Sequence, residues 1–192
     1  VNLAISKGAW AVIVLLAIVI IIIAVGISKY NMLARMDVAV DEKWAEIDNH
    51  LKRRSDLIPN LVETVKGYAS HEKELFENIA EARTKLAGAG TVRETMGAAN
   101  ELSGFLGRLL AIAENYPQLK ANENFLKLQD ELAGTENRIA TARTRYNQAV
   151  RSFNTAIRVF PSNIIAGFIG YEKKEFFEVP ETEKELPEVS FD

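Results

Sequence analysis

The sequence predicts an all-α protein in which an N-terminal transmembrane helix continues into an antiparallel, long-helix, coiled-coil-like bundle. Three observations predict it. An uncharged apolar run opens the chain, apolar residues then recur in steps of three and four almost to its end, and helix-stopping signals divide that pattern into a few long segments.

The run Gly8–Ile27 is almost wholly Ala, Val, Ile and Leu, and no residue between Lys7 and Lys29 is charged. About 20 residues rising about 1.5 Å each span the roughly 30 Å hydrocarbon core of a bilayer. Trp10 and Tyr30 stand near its two ends, at the headgroup level that amphipathic aromatics prefer. The run is too long for the apolar region of a signal peptide and no small-residue cleavage site follows it, so a retained anchor over residues 1–28 is expected. Lys7 and the α-amine on one side nearly balance Lys29 and Arg35 on the other. The short N-terminal tail is easy to translocate, which tilts the expectation toward a cytoplasmic bundle.

The bundle is expected over residues 29–160. Val40, Trp44, Ile47, Leu51, Ile58, Leu61, Val65 and Tyr68 form a heptad seam, with Arg54 where an apolar residue is due. Leu33 and Met36 fall in phase, so anchor and first bundle helix read as one helix. Pro59 removes a backbone donor and crowds the carbonyl four residues earlier, predicting a kink near residues 55–58. The same helix is then expected to carry Leu75, Ile79, Ala82 and Leu86 and to end at Ala87-Gly-Ala-Gly90. Thr91-Val-Arg-Glu94 has the form of a capping box and starts a second helix. That helix presents Met96, Leu102, Leu106, Leu109 and Ala113 and stops before Pro117. A third, from near Ala121, carries Phe125, Leu128, Leu132, Ile139, Tyr146, Val150, Phe153 and Ile157 up to Pro161. Helices joined by short turns fold back on one another as an antiparallel bundle. Residues 161–177 are apolar but too short to span a bilayer. They are expected to form an extended strap packed on the bundle, with contact to a membrane surface or a partner as the other reading. Residues 178–192 are acid-rich with two prolines and read as a disordered tail.

The composition closes several routes to chemistry. With no cysteine, disulfides, thiolate metal sites and thiol nucleophiles are unavailable. A net charge of −3 lacks the basic footprint that nucleic acid requires. His71-Glu72 begins like a zinc-binding H-E-x-x-H, but position 75 is leucine, and neither His50 nor His71 has a glutamate three residues before it. No phosphate loop, nucleophile elbow or set of acid, base and nucleophile is present. No catalytic residue, cofactor, metal or small-molecule substrate is expected.

The polar candidates are Arg53, Arg54, Asp56, Pro59 and Asn60. Arg53 or Arg54 can pair with Asp48, Asp56 or Glu136 and fix helix register, as polar seam residues do. Docking of the cluster on anionic lipid is the weaker option, since a continuous helix puts it about 36 Å beyond Lys29. In the second helix Gly97, Gly104 and Ala111 recur at sevens with Gly107 nearby. Each glycine costs about 1 kcal/mol against alanine. Close packing within the chain and a self-association surface both offset that cost.

Several strings closely resemble the LemA family of bacterial membrane proteins. They are Asp41-Glu-Lys-Trp44, Leu51-Lys-Arg-Arg-Ser-Asp-Leu-Ile-Pro-Asn-Leu-Val-Glu63, Val65-Lys-Gly-Tyr-Ala-Ser-His-Glu72 and Glu114-Asn-Tyr-Pro-Gln-Leu-Lys-Ala-Asn122. Thr135-Glu-Asn-Arg-Ile-Ala140, Tyr146-Asn147, Phe153-Asn154 and Phe160-Pro-Ser-Asn-Ile-Ile-Ala166 are similar to the family as well. The resemblance implies a single-pass protein of the bacterial cytoplasmic membrane with an antiparallel helical-bundle domain. It implies no activity. The function expected is therefore a non-enzymatic membrane-anchored scaffold that self-associates or holds other membrane proteins. The alternative is a ligand-binding or regulatory membrane module, with Arg53, Arg54, Asp56, Asn60, His71 and Glu72 forming a polar pocket beside Pro59.

Overall fold

The computed structural model describes residues 7–177, so the expected acidic tail lies outside the described residues. All regular structure among them is helical: α1 (Lys7–Lys66), α2 (Lys73–Gly88), α3 (Val92–Ala113), α4 (Pro117–Lys120), α5 (Glu123–Ala156) and α6 (Ser162–Ile169). The fold is all-α, as the periodicity requires, and among the described residues α1 is the one helix long and apolar enough to cross a membrane. None of its most apolar stretch is buried by the rest of the chain. Two compact units are formed. One contains the described residues up to Asp41 with Ala149–Lys174, the other Glu42–Gln148 with the described residues from Glu175.

In the larger unit the end of α1, α2, α3 and most of α5 pack side by side. Arg83 of α2 donates to the Ser55 carbonyl of α1 at 3.1 Å, which places α2 back along α1 in the opposite sense. Arg53 and Glu46 of α1 meet Glu131 and Arg145 of α5 at 3.1 and 2.8 Å, so α5 also runs antiparallel to α1. The core is built from Ile58, Leu61 and Val65 of α1, Leu75, Phe76 and Ile79 of α2, Leu102, Leu106 and Leu109 of α3, and Phe125 and Leu132 of α5. The capping box forms as its sequence dictates: Thr91 Oγ1 accepts from the Glu94 N–H at 3.2 Å while Glu94 accepts from the Thr91 N–H at 3.1 Å.

Pro59 lies inside α1, which runs on to Lys66. The expected continuation to residue 87 does not occur, because the chain turns over residues 67–72. Gly67 follows the last helical residue, and glycine gives the helix least resistance to unwinding. The Tyr68 and Ala69 amides both donate to the Val65 carbonyl, at 3.0 and 2.9 Å. The turn shifts the seam: Tyr68, expected inside, is 36 % exposed, and Ala69 is fully buried in its place.

The third long helix also differs from the periodicity. A short α4 begins with Pro117 at its first turn, where a missing N–H costs nothing. Asn122 then starts α5, its Oδ1 accepting from the Asn124 and Phe125 amides at 2.9 and 3.1 Å.

In the smaller unit Leu33, Ala156 and Ala166 form a buried core, with Met32, Met36, Ile157, Ile165 and Tyr171 packed against it. The extended strap expected after Pro161 is instead partly helical. Ser162–Ile169 is α6, which runs through Gly167 and ends at Gly170, whose φ is 80°. The Gly170 and Tyr171 amides both bond to the Ala166 carbonyl at 3.0 Å. After Ile169 the described residues, 170–177, carry no helix.

Candidate functional site

The seam cation is buried in the larger unit and bonded at three points. Arg54 is 2 % exposed, and its guanidinium reaches Glu136 Oε2 at 2.6 Å, Ser103 Oγ at 2.9 Å and the Ala99 carbonyl at 3.1 Å. Glu136 is one of the three carboxylates the sequence offers this arginine. The contacts join α1 to α3 and α5 at a single point, so a slip of either helix by one turn would strand a buried charge. Arg53, its neighbour, is exposed and meets Glu131 at 3.1 Å, a surface pair worth at most about 1 kcal/mol.

Of the six candidates for a polar pocket beside Pro59, Asp56 borders a groove. Arg53 turns to α5 and Arg54 inward, while Asn60 and His71 are exposed. Asp56 lines an open groove of about 590 Å³ with Asp48, Lys52, Ser55, Arg83, Thr84 and Thr95. Arg53, Arg54, Asn60, His71 and Glu72 are not part of that groove. His50 and Glu46 border a second, shallower one with Arg138 and Arg145. Burial opposes ionisation of Glu46, but Lys43 and Arg145 outweigh it and hold the carboxyl below its usual range. Among the described residues no three His, Asp or Glu side chains are grouped to hold a metal ion.

Gly97, Gly104, Gly107 and Ala111 are all exposed on α3. A Cβ built at Gly97, Gly104 or Gly107 would meet nothing within 4 Å. Among the described residues, nothing packs closely on these glycines to offset their cost, and they leave the face open.

Sequence reasoning missed two asparagines of α5. In the smaller unit Asn154 accepts from the Lys174 amide and donates to its carbonyl, both at 2.9 Å. In the larger unit Asn147 treats Phe177 in the same way, at 2.8 and 2.9 Å. Each side-chain amide thus imitates a neighbouring strand for one residue of the non-helical segment. Phe177 is buried against Trp44 at a ring separation of 6.2 Å, with the Arg143 guanidinium 4.5 Å over its face. Lys174 meets Asp37 at 2.7 Å and Asp41 at 3.6 Å. Burial works against its charge, but the two carboxylates prevail and hold the ammonium above its usual range. The signal was present as two aromatic-asparagine pairs, Tyr146-Asn147 and Phe153-Asn154, seven residues apart.

No curated protein matches the chain. The family comparison is positive: residues 43–191, more than half of the chain, match the LemA family model, and the protein belongs to the LemA family.

Proposed function

We propose that this LemA-family chain is a non-enzymatic scaffold of the bacterial cytoplasmic membrane, held by α1 as a retained single-pass anchor and self-associating through α3. The observation that carries the reading is the open face of Gly97, Gly104, Gly107 and Ala111. Three helix-interior glycines cost about 1 kcal/mol each, and packing within the chain does not require them. Small residues at such spacing let a second helix approach closely. The unburied apolar stretch of α1 supports anchoring.

The deciding experiment is the mass of the intact protein in mild detergent by light scattering, with bound detergent subtracted. A defined multiple of 21.4 kDa supports self-association. A strict monomer at micromolar concentration with no co-purifying membrane protein overturns it.

A second reading, a ligand-binding or regulatory membrane module, is favoured by the groove of about 590 Å³ lined by Asp48, Lys52, Asp56 and Arg83. Its charges suit a small polar solute. A thermal-shift screen of such compounds that leaves Tm unmoved removes this reading.

A further inference from the structure

The smaller unit exposes more apolar surface around α6 than a water-facing helix carries. Phe160, Ile164 and Phe168 step by four and are 80, 50 and 88 % exposed. From Val159 to Tyr171 no residue is charged; Arg158 precedes the stretch and Glu172 and Lys173 follow it, all three exposed. What α6 packs against gives this surface its meaning. Ile165 Cδ1 lies 4.0 Å from where a Cβ on Gly26 would be, so α6 rests directly on the last turns of the apolar run of α1. Phe160, Pro161, Ile164 and Ile165 face Ile21, Ile22, Val25, Gly26 and Lys29 across an apolar groove of about 360 Å³.

Depth follows from helix geometry. With Lys29 at the headgroups, Gly26 lies about 4.5 Å and Ile21 about 12 Å along the axis into the membrane. Interfacial helices bury their apolar faces about 5–10 Å into the boundary between headgroups and acyl chains. Ile165, in contact with Gly26, shares its depth, at the boundary between headgroups and acyl chains.

We propose that α6 is a second membrane contact: an interfacial helix whose Ile164 and Phe168, with Phe160 just ahead of it, enter the acyl region beside α1, with lipid chains filling the apolar groove. Arg158, Lys173 and Lys29 complement anionic headgroups at the edges of this insertion, and Tyr30, half exposed one residue beyond Lys29, stands at the same level. The two contacts set α1 and α6 together as a wedge in one leaflet. The proposal rests on the reading of α1 as a retained span.

The chain has no cysteine, so single-cysteine variants take a nitroxide label without background. Phe160→Cys, Ile164→Cys and Phe168→Cys, with Val19→Cys in α1 and Lys127→Cys in α5 as references, are compared in the full chain. The protein is reconstituted in phosphatidylethanolamine–phosphatidylglycerol vesicles, and collisions with oxygen are measured against a water-soluble nickel chelate. The expected result is that labels at 164 and 168 are shielded from nickel and rich in oxygen, at a depth between that of residue 19 and the headgroups, while residue 127 behaves as in water. Labels at 164 and 168 as open to nickel as residue 127, with residue 19 still in the hydrocarbon, overturn the proposal and leave the anchor standing. A water-accessible residue 19 overturns the anchor reading itself. Spin–spin broadening at 168 that vanishes on dilution with unlabelled protein, with poor access to oxygen, assigns the face to a second copy and also overturns the lipid contact. Phe160 and Phe168 are so exposed that their replacement removes almost no packing, and the label at 160 serves as the independent check.

Discussion

Arg54 Nη1 lies 2.6 Å from Glu136 Oε2, with the arginine side chain 2 % exposed and the glutamate side chain 48 %. The pair is asymmetric: one charge is wholly withdrawn from water and the other keeps half of its hydration. Removing either partner therefore has a different consequence.

Glu136→Ala leaves a buried guanidinium with only Ser103 and the Ala99 carbonyl, and is expected to lower stability by about 1.5–3 kcal/mol. Arg54→Met takes away the charge together with its need for partners. It is expected to keep the fold at a cost under about 1 kcal/mol, while loosening the register of α1 against α3. Thermal unfolding of both variants followed by circular dichroism in detergent tests the order. A Glu136→Ala protein more stable than Arg54→Met would show that the pair does not hold the seam.

Asn147→Ala and Asn154→Ala each remove two hydrogen bonds to the backbone of the segment over residues 174–177. Each substitution should cost about 2 kcal/mol, at roughly 1 kcal/mol per bond. Hydrogen exchange localises the effect: the Lys174 amide should lose protection in Asn154→Ala and the Phe177 amide in Asn147→Ala. Uniform protection across both variants contradicts the bracket role.

The capping box makes the start of α3 sensitive to acid. The Gly90 N–H, followed by the hydroxyl and N–H of Thr91, holds the Glu94 carboxyl below its ordinary value near 4.5. A folded-state value below the unfolded one means that the contribution is complete above the ordinary value and is lost as pH falls through the folded value. Glu94→Gln should flatten that acid-side loss, and Thr91→Ala should cost about 1 kcal/mol at neutral pH. Stability measured between pH 7 and pH 3 in the wild-type and Glu94→Gln proteins checks the sign.

Gly97→Ala with Gly104→Ala adds methyl groups that meet nothing within the chain. Helix propensity alone should stabilise the isolated subunit by about 2 kcal/mol for the two. If α3 is the association face, the same methyls hold two helices apart and the assembly weakens. The expected outcome is thus a higher Tm together with a lower mass in detergent. A higher Tm with unchanged mass moves the interface elsewhere.

The all-α class, the apolar run and the capping box were legible because each is written in residues adjacent in sequence. The seam was legible too: Val40, Ile47, Leu51, Ile58, Leu61 and Val65 are all buried, as their spacing demands. Its failure at Tyr68 has a local cause, since a stop at Gly67 rotates everything after it and Ala69 takes the inner position. At Pro59 the helix continues, as expected of a proline that does not stop it, and α1 ends at Lys66, just before Gly67.

What the sequence by itself determined is which faces turn away from water and where α3 and α5 begin, because helix period and capping depend only on neighbours within a few residues. Only the tertiary structure decided what each face meets. Glu136, not Asp48 or Asp56, receives Arg54. Asn147 and Asn154 close on residues 30 and 20 positions away. Among the described residues the glycine face of α3 stays open, and α6 packs with Leu33 and Ala156 and lies on Gly26. Periodicity records that a side chain is hidden but not the identity of its neighbour, since contacts between distant segments depend on the path of the whole chain.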